Sequence, residues 1–470
     1  MKKQKKFDVI VIGAGSGGLN IASFMNSTGF SVLLIDKSDR SIGGDCLNTG
    51  CVPSKALIHI AKLVRASKET RRFGQTIAGA IDIKKVLDYV REKQDHIREH
   101  ENAEHFRTKG MTVMLGEASF VSADTVEVDG SLYTGRNIVI ATGSQPRKLT
   151  VVGIEHARVY TNETIFTLEA LPERMVVVGA GPIGVELGQA LSVLGSKVTI
   201  VGSKLLDKED PEMVIPLKQQ LVKDGIELLL GYRPTEIIDG KRMIVTNEQG
   251  EAREVEFDSI LSSIGRELSV ESLHVHNAGI QTDKRGRLIV DQYLRTTNKH
   301  VFVCGDVAGG HQFTHAAEVH ASLIISNFFS PLRKKLNTDL MAWVTYTSPE
   351  IATFGLQETE LKKRKITYDT LTQDFASSDR AIVDEHTEGK LKVLVSKNGR
   401  VLGGTMVAEN AGEIAQELML AQATGVSLRS FMKKVYPYPT ATRVNRTLVL
   451  SYLSRKLTKN VVRMLHLLYR

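Results

Sequence analysis

An α/β chain with two glycine-rich βαβ units followed by a third, α+β domain is the fold class this sequence predicts, and three observations carry the prediction. A short apolar strand runs into Gly13-Ala-Gly-Ser-Gly-Gly18. A second strand runs into Gly179-Ala-Gly-Pro-Ile-Gly184, 166 residues after the first (179 − 13). Beyond residue 336 the pattern turns to β-rich segments followed by helices, the order of an α+β domain. At 470 residues the chain is too long for a single core and divides most simply into three domains.

Residues 8–12 are the first buried strand, and the glycines after it open a helix over 19–27. Gly13, Gly15 and Gly18 permit a tight turn and the close approach of backbone N–H groups to a pyrophosphate at the helix start. The next strand, 31–35, ends at Asp36, 18 residues after Gly18. An acid there accepts the ribose hydroxyls of an adenosine. Strand, glycines, helix, strand and acid in that order are a far more specific signal than the glycines alone.

Residues 43–55 read Gly-Gly-Asp-Cys-Leu-Asn-Thr-Gly-Cys-Val-Pro-Ser-Lys. Pro53 suits a first helical turn, where its missing N–H costs nothing, so a helix is expected to begin at Cys51 or Val52. The positive end of that helix then faces Cys51, and Lys55 lies one turn on along the same face. Both favour thiolate over thiol, which makes Cys46 and Cys51 a redox-active dithiol. The plain alternative is two buried thiols in an ordinary loop. Three cysteines are too few for a disulfide scaffold, and a close pair in a long chain points to catalytic redox use in a reducing, cytoplasmic compartment. The basic start resembles a signal-peptide n-region, yet its apolar run stops at Gly13 with no cleavage site.

Residues 82–109 form a highly charged helical stretch with Ile83, Val86, Leu87 and Val90 on one face, a solvated helix to which no chemistry is assigned. Strands at 112–115, 125–128 and 137–140 close at Ala141-Thr-Gly-Ser144. The second βαβ unit has its strand at 175–178, its turn at Gly179, Gly181 and Gly184, its helix at 185–194 and its next strand at 197–201. Two such units imply two nucleotide cofactors. The second strand runs into Gly202-Ser203-Lys204, with no carboxylate for a ribose. That favours a 2′-phosphate bound by Ser203 and Lys204, hence NADPH over NADH. The alternative leaves Lys204 a solvated surface lysine.

Residues 301–306 are a strand ending in Asp306, an acid that either serves a site or caps the next turn. Strands at 341–346, 390–395 and 401–408 and helices at 412–424 and 428–434 make the third domain. Residues 448–468 are a basic amphipathic helix expected to pack in the fold, with a membrane-surface role as the lesser reading. The net charge of +8 and pI near 9.1 suit dinucleotide phosphates. With no basic tract beyond residues 2–6, nucleic-acid binding is not expected.

Together these segments resemble the class I pyridine-nucleotide disulfide oxidoreductases, the flavoprotein family of dihydrolipoamide dehydrogenase, glutathione reductase and mercuric reductase. Gly43 to Lys55 is similar to the family's active-site segment, Ala141 to Gly143 to its ATG element, and Ser263-Ile-Gly-Arg266 to the close of its NAD(P) domain. Cys304-Gly-Asp306 is similar to its second flavin motif, and Tyr346-Thr-Ser-Pro-Glu350 to the opening of its dimerisation domain. The resemblance implies two Rossmann-like domains and a C-terminal α+β dimerisation domain. It divides the chain into FAD-binding residues 1–150 and 269–335, NAD(P)-binding residues 151–268 and dimerisation residues 336–470. It implies FAD and a pyridine nucleotide as cofactors, a homodimer, and no resident metal. It makes Cys51 the flavin-proximal thiol and Cys46 the interchange thiol that meets the acceptor, with Lys55 beside the flavin and paired with Glu186. For FAD it implies Gly13, Gly15, Gly18, Asp36, Lys55, Ala118, Thr142, Gly143, Asp306 and Thr314. For the nicotinamide nucleotide it implies Gly179, Gly181, Gly184, Ser203, Lys204 and Gly265.

Two departures bear on the acceptor. Dithiol-processing members carry a His before a Pro-Thr pair and a Glu five residues after that His; here Tyr438 precedes Pro439-Thr440 and Arg443 holds the second position. A tyrosine with an ordinary pKa near ~10 is a poor proton shuttle at neutral pH. Mercuric-reductase-like members are more similar there and around Asp379-Arg380-Ala381, but their C-terminal cysteine pair is absent, since no Cys follows Cys304, as is their N-terminal metal-binding domain. The expected activity is transfer of electrons from NADPH through FAD and the Cys46–Cys51 disulfide to a soft metal ion, an oxidant or a small disulfide. The alternatives are a dihydrolipoamide dehydrogenase without its usual base, and a catalytically poor flavoprotein that senses redox state or scaffolds an assembly.

Overall fold

The strand Lys5–Ile12 is buried on both faces along its second half, so its apolar residues run on without polar alternation. Val9 and Val11 point to one face with Val32, Leu34, Ile21 and Ile324; Ile10 and Ile12 point to the other with Leu33, Ile35, Phe120 and Val128. The computed structural model that shows this describes residues 5–76, 79–268 and 270–469. The described residues form two compact units: those up to Ser203 with Leu229–Leu336, and Lys204–Leu228 with residues from Asn337 on.

In the first unit one sheet runs Thr112–Leu115, Val32–Asp36, Lys5–Ile12, Ser131–Ile140, Thr125–Val128, Ala118–Phe120, with Val301–Val303 also pairing Ser131–Ile140. The core pairings are parallel, Val9 opposite Val32 and Val11 opposite Leu34, and the helix Ser16–Ser27 supplies the crossover. A second sheet repeats the plan with Lys197–Gly202, Arg174–Val178 and Ser259–Ser262 in parallel. Its crossover helix, Pro182–Leu194, is buried along almost all of its length. The helix Cys51–Glu69 begins at Cys51 and packs on both Pro182–Leu194 and Ile83–Arg98.

The second unit is an antiparallel sheet in the order Ala342–Thr345, Glu350–Gly355, Val401–Ala408, Lys390–Val395, Asp369–Asp374. Phe354, Leu391 and Met406 meet Leu418 and Leu448 from its helices. Residues 204–228, expected within the nucleotide-binding region 151–268, group with this unit. The cause is polar. Glu209 accepts from Trp343 Nε1 and Thr353 Oγ1, each at 2.5 Å, and Asp210 pairs with Lys392 at 2.6 Å. Burial pushes the Glu209 carboxyl up, against the pull of those two hydrogen bonds.

Several expected elements are divided. The charged stretch 82–109 is two helices, Ile83–Arg98 and Ala103–Thr108, because Asn102 caps the second by accepting from the His105 N–H at 2.8 Å. Residues 412–424 are likewise Ala411–Ile414 and Gln416–Thr424, and Leu428–Lys433 is a 3-10 helix. The strand at 301 stops at Val303, and Asp306 begins a 3-10 turn.

The expected helix 448–468 is also two. Arg443–Ser454 buries Val444, Asn445, Leu448, Val449 and Tyr452, but the next positions on that face are Arg455 and Lys456, so the apolar stripe ends there. A new helix, Lys459–Leu468, starts at the Thr458 cap and buries none of its residues. The expectation that this whole stretch packs in the fold holds only for its first half. No helix among the described residues is long and apolar enough to cross a membrane.

Candidate active site

Cys46 lies in the short helix Gly44–Asn48, and Cys51 is the first residue of Cys51–Glu69. The thiols are not joined, and they interact directly: hydrogen bonding from Cys46 is the largest cause holding the Cys51 pKa down at about 6, from an ordinary 9.0. The Thr314 hydroxyl, 3.3 Å from Cys51 Sγ, and the charge of Lys55 act in the same direction, while burial and Glu186 oppose them. The same hydrogen bond, with burial and the Cys51 charge, drives the Cys46 pKa up. The reduced pair thus holds one proton, on Cys46, and one negative charge, on Cys51.

Lys55 is positioned from the neighbouring helix: its Nζ lies 2.8 Å from Glu186 Oε2, a carboxylate almost wholly buried in Pro182–Leu194. Thr314, assigned above to the flavin, opens the helix Thr314–Phe329 and sets its hydroxyl on the Cys51 sulfur.

Around the first glycine turn the neighbouring strand end comes so close that no side chain fits. Gly13 has φ +105, and a Cβ on it would lie 2.3 Å from the Ala141 carbonyl oxygen; Gly179 repeats this with φ +115 and the Ser263 oxygen at 2.4 Å. Asp36 accepts from the Ala14 N–H at 2.5 Å and the Lys37 N–H at 2.7 Å, which fixes its carboxylate at the strand end. Its carbonyl accepts from Gly116 N at 2.8 Å, two residues before Ala118. The Ala118 side chain is core, so only its backbone can face a ligand. Gly15, Gly18, Thr142 and Gly143 border the same turn or the strand Ser131–Ile140 that ends beside it. In the second unit of this kind a Cβ on Gly181 or Gly265 would meet nothing within 4 Å, whereas one on Gly184 would meet Gly179 O at 2.2 Å.

Asp306 does not cap its turn with its side chain. Its carboxylate accepts from Ser144 Oγ at 2.6 Å, and burial pushes its pKa up despite that bond and the nearby Arg266. The half-buried Asp306, the open N-terminus of Ser16–Ser27 and the fixed Asp36 fit FAD, whose ribityl and adenosine hydroxyls need such acceptors and whose pyrophosphate needs such donors.

Residues that the sequence reading passed over complete the site. Arg266 is nearly buried and reaches Asp45 at 2.6 Å and, from Nε, Ser144 Oγ at 2.6 Å, with Asp306 at 3.8 Å. Its place beside Gly265 was the available signal. Gln94 Nε2 donates to the carbonyls of Leu47 and Asn48, each at 2.8 Å, and Arg98 Nη2 donates to Asn48 Oδ1 at 2.9 Å. The helix Ile83–Arg98, given no chemistry above, therefore clamps the turn between the two cysteines.

Gly202 has a packing cause as well as a chemical one: a Cβ there would lie 2.9 Å from Ala180 Cβ and 3.0 Å from its backbone nitrogen. Ser203 and Lys204 behind it are exposed. Tyr438 belongs to the second unit, where its hydroxyl donates to Asp379 Oδ2 at 3.1 Å and the Arg443 guanidinium lies over its ring at 5.2 Å. The hydrogen bond to Asp379, more than its charge, pushes the tyrosine pKa up.

Comparison with known proteins agrees with this geometry. Mercuric reductase of Bacillus cereus is 31% identical over 455 residues, covering 95% of this chain and 71% of that protein. Dihydrolipoyl dehydrogenase of Vibrio cholerae is 30% identical over 453 residues, 94% of each. Among solved structures, the HOCl-induced flavoprotein disulfide reductase RclA from Escherichia coli superposes with a TM-score of 0.83 at 25% identity, over 94% of this chain and 99% of that one. Its Cu(II) complex gives 0.81, over 95% and 99%. Residues 7–321 match the pyridine nucleotide-disulphide oxidoreductase family and residues 341–448 its dimerisation domain. The chain belongs to the pyridine nucleotide-disulphide oxidoreductases and is an FAD-dependent enzyme of that family.

Proposed function

We propose that this enzyme passes electrons from NADPH through FAD and the Cys46–Cys51 pair to an oxidant or soft metal ion, with a small disulfide as the poorer acceptor. The observation that carries the choice of acceptor is Tyr438 hydrogen-bonded to Asp379. Where a dithiol substrate needs a base to take a proton and return it to a leaving thiol, this chain has a hydroxyl whose pKa is raised further from neutrality. The similarity to dihydrolipoyl dehydrogenase extends along the chain and not to that pair.

FAD, when bound, supplies the two-electron chemistry that accepts hydride from the nicotinamide and delivers electrons to sulfur. The chain's own part is charge and placement. The hydrogen bonds from Cys46 and Thr314, with the charge of Lys55 that Glu186 holds in place, keep Cys51 anionic. Gln94 and Arg98 hold the backbone and side chain of the turn that joins the two thiols. The pair then reacts with one proton and one charge: thiol plus thiolate give the disulfide, two electrons and one proton. Hypochlorous acid takes both electrons and the proton to give chloride and water, and two Cu(II) ions take the electrons to give two Cu(I) with release of the proton. Neither acceptor requires a base at position 438. Use of a Cu(II)-type acceptor is in line with the Cu(II) complex of the Escherichia coli reductase.

NADPH is preferred because no carboxylate stands at Gly202 to repel a 2′-phosphate and Ser203 and Lys204 are exposed beside it. The subunits pair through the residues that match the dimerisation domain.

The test is NADPH-dependent turnover by the FAD-loaded enzyme on Cu(II), Hg(II), hypochlorite, lipoamide and glutathione disulfide, repeated with Cys46→Ala. Turnover is expected with metal ions or oxidants and lost in Cys46→Ala. Full turnover by Cys46→Ala would show that electrons leave before the thiols, and lipoamide rates near ~10² per second, within the ordinary enzyme range, would overturn the choice of acceptor.

A further inference from the structure

The last 53 residues of the chain, from Leu418, contain ten Lys and Arg and no Asp or Glu. The whole chain has 61 Lys and Arg and 53 Asp and Glu, so the preceding 417 residues hold 51 against 53, a net −2. The protein's net positive charge therefore comes entirely from this stretch, and it ends in the helix Lys459–Leu468, which buries nothing.

That helix is sharply two-faced. Val461, Met464, Leu465 and Leu468 follow the i, i+3, i+4, i+7 spacing of one stripe, widened by Val462. Met464 is 51%, Leu465 47% and Leu468 67% exposed, large apolar side chains left to water. On the other face stand Lys459, Arg463 and His466, and Arg455 and Lys456 precede the helix. Only Leu467 falls outside the stripe. A helix that is strongly apolar on one side, basic on the other and short of a membrane span has the form of one that lies in a lipid interface.

A second copy of the chain fits the stripe poorly. Paired with its own counterpart, the stripe would face an equally cationic, acid-free stretch, and the segment matching the dimerisation domain ends at 448, before the helix begins. An anionic bilayer satisfies both faces at once, its acyl boundary taking the stripe and its phosphates the cations. We propose that Lys459–Leu468 docks the enzyme on an anionic membrane surface, with Val461, Met464, Leu465 and Leu468 entering the headgroup boundary and Arg455, Lys456, Lys459 and Arg463 meeting lipid phosphates. This docking does not depend on which acceptor the thiols reduce.

The experiment is flotation of the full-length, FAD-loaded enzyme with vesicles of phosphatidylglycerol and phosphatidylcholine in equal parts, against vesicles of phosphatidylcholine alone. Binding is expected to the anionic vesicles, weakened by high salt. Leu465→Asp with Leu468→Asp should cut it by about tenfold or more, because both the apolar area and the charge match are lost, with flavin content and the dimer unchanged by gel filtration. Lys459→Glu with Arg463→Glu leaves the stripe intact and should abolish the preference for anionic over neutral vesicles. Absence of flotation, equal flotation with both vesicle types, or flotation untouched by either double variant overturns the proposal. So does a shift from dimer to monomer in Leu465→Asp with Leu468→Asp, which would make the stripe a subunit contact.

Discussion

Thr314→Val removes one hydroxyl from beside Cys51 while keeping the shape of the side chain, and its effect follows from the site. At 3.3 Å the Thr314 oxygen is within hydrogen-bonding reach of Cys51 Sγ, and once the sulfur is a thiolate the hydroxyl must donate. A hydrogen bond to a charged group contributes about 1.5–3 kcal/mol. Cys46 and Lys55 also stabilise the thiolate and remain in the variant, so the lower end applies. About 1.4 kcal/mol corresponds to one pKa unit, and the Cys51 midpoint should rise by about one unit from about 6. The sign is that of a depressed acid: the thiolate is held through neutral pH and lost as pH falls through its midpoint, which the substitution moves upward. The assay is the pH profile of iodoacetamide alkylation of the reduced enzyme, followed alongside ultraviolet thiolate absorbance. Thr314→Ser, which keeps the hydroxyl, should leave the profile in place. An unshifted midpoint in Thr314→Val would refute the assignment and leave Cys46 and Lys55 to account for the acidity.

Further outcomes follow from the same geometry. Gln94→Leu leaves the carbonyls of Leu47 and Asn48 without their donor and should destabilise the first unit by about 1–3 kcal/mol, read as a lowered denaturant midpoint in its unfolding. Lys204→Glu should lower kcat/KM for NADPH by about tenfold or more while sparing NADH, as expected for loss of one charge-assisted contact; this position is chosen because Gly202 has no space for a Cβ. Tyr438→Phe should change turnover on metal ions or oxidants by about tenfold at most, as for one neutral hydrogen bond. Tyr438→His with Arg443→Glu should raise lipoamide turnover and leave oxidant turnover flat; a loss of ~10²-fold with Tyr438→Phe would show that the tyrosine handles a proton.

Local signals made much of the fold legible. Glycines after a buried strand, an acid at the end of the next one and Pro53 in a first turn each have a short-range cause, and the structure has the strand Lys5–Ile12, the strand Val32–Asp36 and a helix starting at Cys51 in those places. Long-range contacts were not legible. Gln94 lies 47 residues from the carbonyl it holds and Arg266 lies 122 from Ser144, and no periodicity reports such a pairing. Asp379, the partner of Tyr438, stands in the Asp379-Arg380-Ala381 segment, but nothing in the spacing ties it to a hydroxyl 59 residues away. Helix breaks at Asn102 and after Ser454 escaped for a different reason: charged residues continue the helical pattern on the solvent side even where the buried stripe has ended.

The bridge made by Arg266 has a bearing on how the enzyme is built on the ribosome. It joins Asp45, Ser144 and Asp306, so the first and last of its partners are separated by 261 residues of synthesis (306 − 45). The early glycine turn can fold while the chain is short, but the acid that completes the pocket emerges only after more than half of the polypeptide has been made. The support of the redox segment is thereby completed only late in translation, and until then Asp45 beside Cys46 lacks the Arg266 that will hold it.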